Sequence, residues 1–251
     1  MGKVIILGSG YAVPDETQDN THLLITQGKR VVLVDTASNP IVRLRKAGIQ
    51  FDDLSEIILT HFHPDHVSGV PLLLMGMWLL GRKRPIGIYG FEHTLDRVRA
   101  MIDLYDLFTW PDFYKVDFHR IPQEEMTIVI EDDGLRITAS PVKHLIPTLG
   151  LRVDFIPEGR VMTYSCDTEP CPQVEKLAEG ADVLIHEAAG AMKGHSSPEQ
   201  AAKIASQAKV KQLYLIHYSR TKTGFWDAFA EAKKIFPGPL VLSEDFQVID
   251  F

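Results

Sequence analysis

Apolar runs broken by turn residues recur along the chain, and each predicts a strand. Residues 4–7 form the first run, which ends in the turn Gly8-Ser9-Gly10. Such a turn cradles phosphate when a helix follows it. Here the polar stretch 14–20 follows instead, so a nucleotide-binding reading fails. Residues 22–26 and 30–34 read as an antiparallel hairpin around Gln27-Gly28-Lys29. Ile41, Leu44 and Ala47 stand at helical spacing in 40–47, and Gly48 stops that helix. The run 56–59 leads into Thr60-His61-Phe62-His63-Pro64-Asp65-His66. The apolar stretch 71–80 is far short of a bilayer span and predicts a buried or interface helix. Further strands are expected at 84–90, 127–130, 135–140, 160–164, 182–185 and 212–216. Ser197, Pro198 and Gln200 open a helix with a cap, a first-turn proline and a capping box.

Residues 101–118 are rich in aromatics: Tyr105, Phe108, Trp110, Phe113, Tyr114 and Phe118. Core packing is the favoured reading, ahead of a flap broken at Trp110-Pro111 or a dimer surface.

Composition narrows the class. A chain of 251 residues with 45% hydrophobic content suits one α/β domain spanning 1–251. The net charge of −7 is spread among alternating signs, which excludes bulk nucleic-acid binding by a basic face. Arg82-Lys83-Arg84 is a short basic knot, read as a solvated loop after a helix. Cys166 and Cys171 cannot build a disulfide framework and fit a reducing compartment, although their spacing allows a local bridge. The N-terminal apolar run is too short for a signal peptide, and Ile6 stands where a myristoylation motif needs a hydroxyl. A cytoplasmic protein with no membrane partner is expected.

Residues of the metal-ligand type sit where the strands end. On an extended segment His61 and His63 face the same way, while Asp65 and His66, after the turn at Pro64, can face a second point. That spacing suggests two ions, of the kind that take imidazole and carboxylate ligands. Asp35 closes 30–34, with capping of the helix 40–47 as an equal alternative. His144 follows 135–140, Asp167 follows 160–164, His186-Glu187 follows 182–185, His217 follows 212–216, and His195 precedes the capped helix. Loops at strand ends are where layered α/β folds build sites, so these residues can meet on one edge.

The H-x-H-x-D-H stretch resembles the signature of the metallo-β-lactamase superfamily, and the order His61/His63/Asp65/His66, His144, Asp167, His217 resembles its full ligand set. The resemblance implies a four-layer αββα sandwich with the metals at one edge of two sheets. It implies two divalent ions, Zn2+ first and Mn2+ or Fe2+ as alternatives. His61, His63 and His144 would hold one, Asp65, His66 and His217 the other, with Asp167 bridging. An aspartate placed like Asp35 orients a ligand histidine in that family. A hydroxide bridging the ions would be the nucleophile, and the excess positive charge would favour an anionic substrate. Asp65 then counts among the catalytic residues as well as the ligands.

His186-Glu187-Ala188 and His195-Ser196-Ser197 resemble the H-E-A-T and H-S-T motifs of ribonuclease Z-like phosphodiesterases, as Pro85 to Gly90 resembles their P-x-x-x-Y-G segment. The resemblance implies that Glu187 orients His195, which donates a proton to the leaving alkoxide. His186 would lie behind the site or be structural. There are two departures. Ribonuclease Z carries a long tRNA-binding arm between the counterparts of His144 and Asp167, which here are only 23 positions apart, 167 − 144. Cys166 stands in place of the glycine of S-G-D-T. With no room for the arm and a net charge of −7, tRNA is not the expected substrate. A phosphodiesterase acting on a smaller phosphodiester, such as a cyclic nucleotide or an RNA end, is expected. The alternatives are a lactonase, arylsulfatase or other ester hydrolase on the same site, or a metal-retaining binding or regulatory protein without turnover. Family analogy and the stretch 71–80 suggest a homodimer.

Overall fold

The computed structural model describes residues 1–251. Its elements follow in the order β1 Lys3–Gly8, β2 His22–Gln27, β3 Arg30–Val34, α1 Pro40–Lys46, β4 Glu56–Ile58, α2 Pro64–Val67 and α3 Val70–Leu79. Then come β5 Ile86–Phe91, α4 Glu92–Asp103, β6 Val116–Ile121, β7 Thr127–Glu131, β8 Leu135–Val142, β9 Thr148–Phe155 and β10 Arg160–Tyr164. The chain closes with α5 Pro172–Ala178, β11 Val183–Glu187, α6 Pro198–Gln207, β12 Gln212–Ile216, α7 Phe225–Ile235, β13 Leu240–Leu242 and β14 Gln247–Asp250.

Two seven-stranded sheets result, one in the order β14-β1-β2-β3-β4-β5-β6 and the other in the order β13-β12-β11-β10-β9-β8-β7. The side-chain alternation of the strands builds four layers from them. Val32 and Val34 of β3 point into the apolar cluster between the sheets, while Val31 and Leu33 point outward into a second cluster with Leu44, Leu73 and Val98 of the helices. The other sheet does the same: Val183 and Ile185 of β11 face inward, and Leu184 faces outward onto Ala201, Ala205 and Ala232. Strands covered on both faces must be apolar at nearly every position, which is why runs such as Val31 to Val34 do not alternate. The arrangement is the expected αββα sandwich.

Strand direction places the site. β3, β4, β5 and β6 are parallel neighbours, as are β10, β11, β12 and β13. Parallel strands deliver their carboxyl ends to one edge, where ligands bind in open α/β sheets. Asp35 and His217, each the residue after its strand, and Cys166, two beyond Tyr164, adopt left-handed backbone with φ of 62°, 54° and 53°. Non-glycine residues rarely take this conformation, and such strain gathers at functional sites.

One expectation changes here and two open ones are settled. The basic knot is solvated at Lys83 and Arg84 but not at Arg82, which is buried and donates to the carbonyl oxygens of Phe51, Leu54, Arg84 and Pro85 at 2.7–3.0 Å. Asn39, not Asp35, caps α1, its side chain accepting from Val42 N at 3.3 Å. Cys166 and Cys171 are both buried free thiols rather than a bridge. The aromatic segment mainly packs on the outer cluster of the first sheet, with Tyr114 buried and Tyr105 exposed. No helix is long and apolar enough to cross a membrane.

Candidate metal centre

β4 ends at Ile58, and the chain then runs extended past Thr60 and His61 to His63, which precedes the short helix α2. His61 Nε2 lies 3.0 Å from His63 Nδ1, and His144 Nε2, brought in just beyond β8, lies 3.2 Å from the same atom. Three ring nitrogens thus converge. A second triad forms beside it from α2 and the end of β12: Asp65 Oδ2 is 3.4 Å from His66 Nε2 and 3.5 Å from His217 Nε2. Within each triad all ligand atoms lie within 4.8 Å of one another. Asp167, after β10, sits between them. Its Oδ2 is 3.9 Å from His61 Nε2 and 4.0 Å from His144 Nε2 on one side, and 3.5 Å from both His66 Nε2 and His217 Nε2 on the other.

One atom aimed at the centre, His66 Nε2, is buried without any hydrogen-bond partner, and so is Oδ1, the second carboxylate oxygen of Asp167. Such orphaned groups are costly, and divalent cations would satisfy them. Burial holds His61 well below the ordinary histidine range and also lowers His63 and His144, so all three are neutral imidazoles. Burial would raise Asp65 and Asp167, but the surrounding His217 and His66 outweigh it and keep both carboxyls below their usual range. Burial would lower His66, but Asp167 and Asp35 outweigh it and raise that ring well above the histidine range, so an ion entering its triad would displace a proton. Neutral imidazoles and ionised carboxylates are the set that divalent zinc and its neighbours take.

The rings are held from behind. Asp35 accepts the Thr60 N–H at 2.8 Å and the Thr60 hydroxyl at 2.7 Å, and its Oδ2 also accepts from His66 Nδ1 at 2.8 Å. The Thr60 oxygen is in turn 3.1 Å from His61 Nδ1. His144 Nδ1 donates to the carbonyl of Gly194 at 2.6 Å. Each contact occupies Nδ1 and leaves Nε2 for the centre. Thr60 and the Gly194 carbonyl were beyond the reach of the sequence, since a threonine in a polar loop and a backbone oxygen carry no distinguishing signal.

His195 and Glu187 are brought together as well. Glu187, buried at the end of β11, accepts His195 Nδ1 at 2.9 Å, and its oxygens take three further backbone N–H groups, from Thr168, Ala189 and Ser196. Burial pushes Glu187 up, against the pull of His195. Burial alone would lower His195, and the contact with Glu187 raises it overall. The His195 ring stacks on His217 at 5.6 Å and lies edge-on to His144 at 5.0 Å, so it stands over the centre. His186 does not join them; it is buried and bonds the Glu187 carbonyl at 2.8 Å. A cavity of about 720 Å³ opens over the centre, lined by His63, Asp65, Asp167, His195 and His217 and by a far wall that includes Tyr11 and Lys222.

A buried two-lobed cradle of imidazoles and carboxylates at one sheet edge defines a metal-dependent hydrolase. Residues 30–218 match the family described as the beta-lactamase superfamily domain, and the chain belongs to that family. It is 28% identical to the ribonuclease Z of Parabacteroides distasonis, an alignment of 298 positions that covers 97% of each chain. Human tRNase Z, short form, is similar in structure, with a TM-score of 0.80, 25% identity, and coverage of 99% of this chain and 98% of that one. The metallo-beta-lactamase fold protein YhfI from Bacillus subtilis superposes with a TM-score of 0.82 at 20% identity, covering 99% and 98% of the two chains.

Proposed function

We propose that this hydrolase is a two-ion phosphodiesterase acting on a small or nucleic-acid-derived phosphodiester. The observation that carries the reading is the position of Asp167 Oδ2, within 3.5–4.0 Å of four imidazoles, two from each triad. A carboxylate so placed suits a bridge between two ions. His61, His63 and His144 would hold one ion, and Asp65, His66 and His217 the other. Zn2+ suits the donor set best. When bound, such ions acidify water into a nucleophile at neutral pH and offset the charge of a phosphate.

The chain's own groups supply the rest. With Nδ1 engaged by Glu187, His195 keeps Nε2 to protonate the departing alkoxide, and Glu187 fixes its tautomer and favours its protonated form. Asp65, with Oδ2 3.4 Å from His66 Nε2 and 3.5 Å from His217 Nε2, would help hold the ion that supplies the nucleophile. A proton donor beside the centre suits cleavage that expels a basic alkoxide, as from a phosphodiester, over aryl sulfate cleavage, whose phenolate leaves with less help.

The substrate is compact. Only β9, β10 and their turns lie between His144 and Asp167. The alignment with the Parabacteroides ribonuclease Z spans 298 positions against a chain of 251, so that relative has at least 47 residues without a counterpart here, 298 − 251. Together with the net charge of −7 this favours a cyclic nucleotide or an RNA end over tRNA. The exposed Leu72, Leu79 and Leu80 on and after α3 suit the expected homodimer.

The test is a comparison of bis(p-nitrophenyl) phosphate, p-nitrophenyl sulfate and a simple lactone as substrates of the zinc-loaded protein. Phosphodiester turnover that dominates and disappears on chelation supports the reading. Preference for the sulfate or lactone would replace it with an ester hydrolase, and no turnover of any would point to a binding protein.

A further inference from the structure

The far wall of the cavity carries one fixed cation. Lys222 is the one lysine or arginine among its lining residues, and it is presented five positions after His217 by the loop between β12 and α7. That loop is bolted at both ends. Tyr218 stacks on Phe225 at 5.0 Å and donates to the Ser243 carbonyl at 2.9 Å, and the Trp226 indole N–H donates to the Arg220 carbonyl at 3.1 Å.

The Lys222 ammonium is lodged, not loose. It donates to the Ala189 carbonyl and touches Met192 Sδ at 3.8 Å. Across from it is Gly190, whose backbone has φ of 120° and where a Cβ would lie 2.6 Å from the Lys222 nitrogen. The Ala189 carbonyl and Met192 Sδ thus seat the ammonium against the loop that carries His195. An ammonium has three donors. One goes to Ala189, and no carboxylate lies within ion-pairing distance of the nitrogen, so the positive charge is uncompensated and donors remain for a ligand. Lys222 and Met192 also line a second cavity of about 310 Å³ that adjoins the first, so the ammonium stands at the junction of two spaces. Ser219, Thr221 and Thr223 add hydroxyls to the same wall of the larger one.

We infer that Lys222 forms an anion subsite that binds a second phosphate in the same cavity as the phosphodiester held at the metal centre. The inference rests on the phosphodiesterase reading and narrows its substrate to a phosphodiester bearing a further phosphate, such as the end of an oligonucleotide. A lone diester would leave the Lys222 charge without a partner. Lys222 binds; it takes no part in bond cleavage.

The test uses two chromogenic substrates that differ by one group: thymidine 5′-(p-nitrophenyl phosphate) and its 3′-phosphorylated form. Wild type should prefer the 3′-phosphorylated substrate in kcat/KM by about tenfold, the range of one charge-assisted hydrogen bond. Lys222→Met and Lys222→Gln should both erase most of that preference, chiefly through KM. Lys222→Gln retains a donor for Ala189, so it separates charge from loop anchoring. The subsite is overturned if either variant lowers both substrates equally, or if Lys222→Gln keeps the preference that Lys222→Met loses. If wild type cleaves neither substrate, the phosphodiesterase reading has failed separately. Calorimetric binding of thymidine 3′,5′-bisphosphate then still decides the subsite, since equal affinity for wild type and Lys222→Gln would refute it.

Discussion

Asp35 Oδ2 accepts the Nδ1 proton of His66 at 2.8 Å and the Thr60 hydroxyl at 2.7 Å, so one buried carboxylate reaches a histidine of one triad directly and, through Thr60, His61 of the other. The left-handed backbone of Asp35 is what turns the side chain back under the motif. Asp35→Asn should therefore weaken zinc binding in both triads, by roughly 10–100-fold as for other groups that brace ligands from behind. Thr60→Val should weaken chiefly the triad of His61. Competition with a chromophoric chelator measures both, and a Thr60→Val protein that loses affinity in both triads equally would break this chain of contacts.

A proton donor matters in proportion to the basicity of the leaving group. His195→Ala should lower turnover of a dinucleotide, whose leaving group is a sugar alkoxide, by about 10²–10⁴-fold. The loss on bis(p-nitrophenyl) phosphate should be much smaller, because nitrophenolate leaves without protonation. Equal losses on the two substrates would assign His195 to binding or packing.

Much of this site was legible because its residue types advertise themselves. His61, His63, Asp65 and His66 crowd one turn, and His144, Asp167 and His217 each follow an apolar run, so the strand ends and the candidate ligands could be read together. What was not legible depends on tertiary neighbours. Arg82 looks solvated in its basic run, and its burial follows from carbonyls at Phe51 and Leu54 that only the fold brings near. The seat of Lys222 is made by the Ala189 carbonyl, 33 positions away, 222 − 189. The role of Asp35 was open because a cap and a histidine partner ask for the same residue type.

Arg82 gives a stability prediction. Arg82→Leu removes a buried guanidinium and strands four carbonyl oxygens, those of Phe51, Leu54, Arg84 and Pro85. The expected loss is about 3 kcal/mol or more, read by urea unfolding. Lys83→Leu, next door and exposed, should change little. Similar midpoints for the two variants would contradict the structural role of Arg82.

Stability should also fall in mild acid. Burial brings His186 down to about 4, and burial likewise lowers His22. Both are neutral when folded, whereas an unfolded chain takes up protons below about pH 6.5. The unfolded state is thus favoured as pH falls from about 6.5 toward 4, by roughly 3 kcal/mol for His186 over the whole window and nothing further below it. His186→Asn, which cannot titrate, should flatten the fall in Tm between pH 7.5 and pH 5 by roughly 4–8 °C. Parallel curves for variant and wild type would count against a buried neutral His186.

The proposed two-ion centre is tested most directly by titrating metal-stripped protein with Zn2+, counting bound metal by mass spectrometry while following bis(p-nitrophenyl) phosphate turnover. Two ions per chain are expected, with turnover rising as the second is taken up, and with His144→Ala and His217→Ala each retaining one ion and little activity. One ion per chain at saturation with full activity, or turnover by the metal-free protein, would contradict the account.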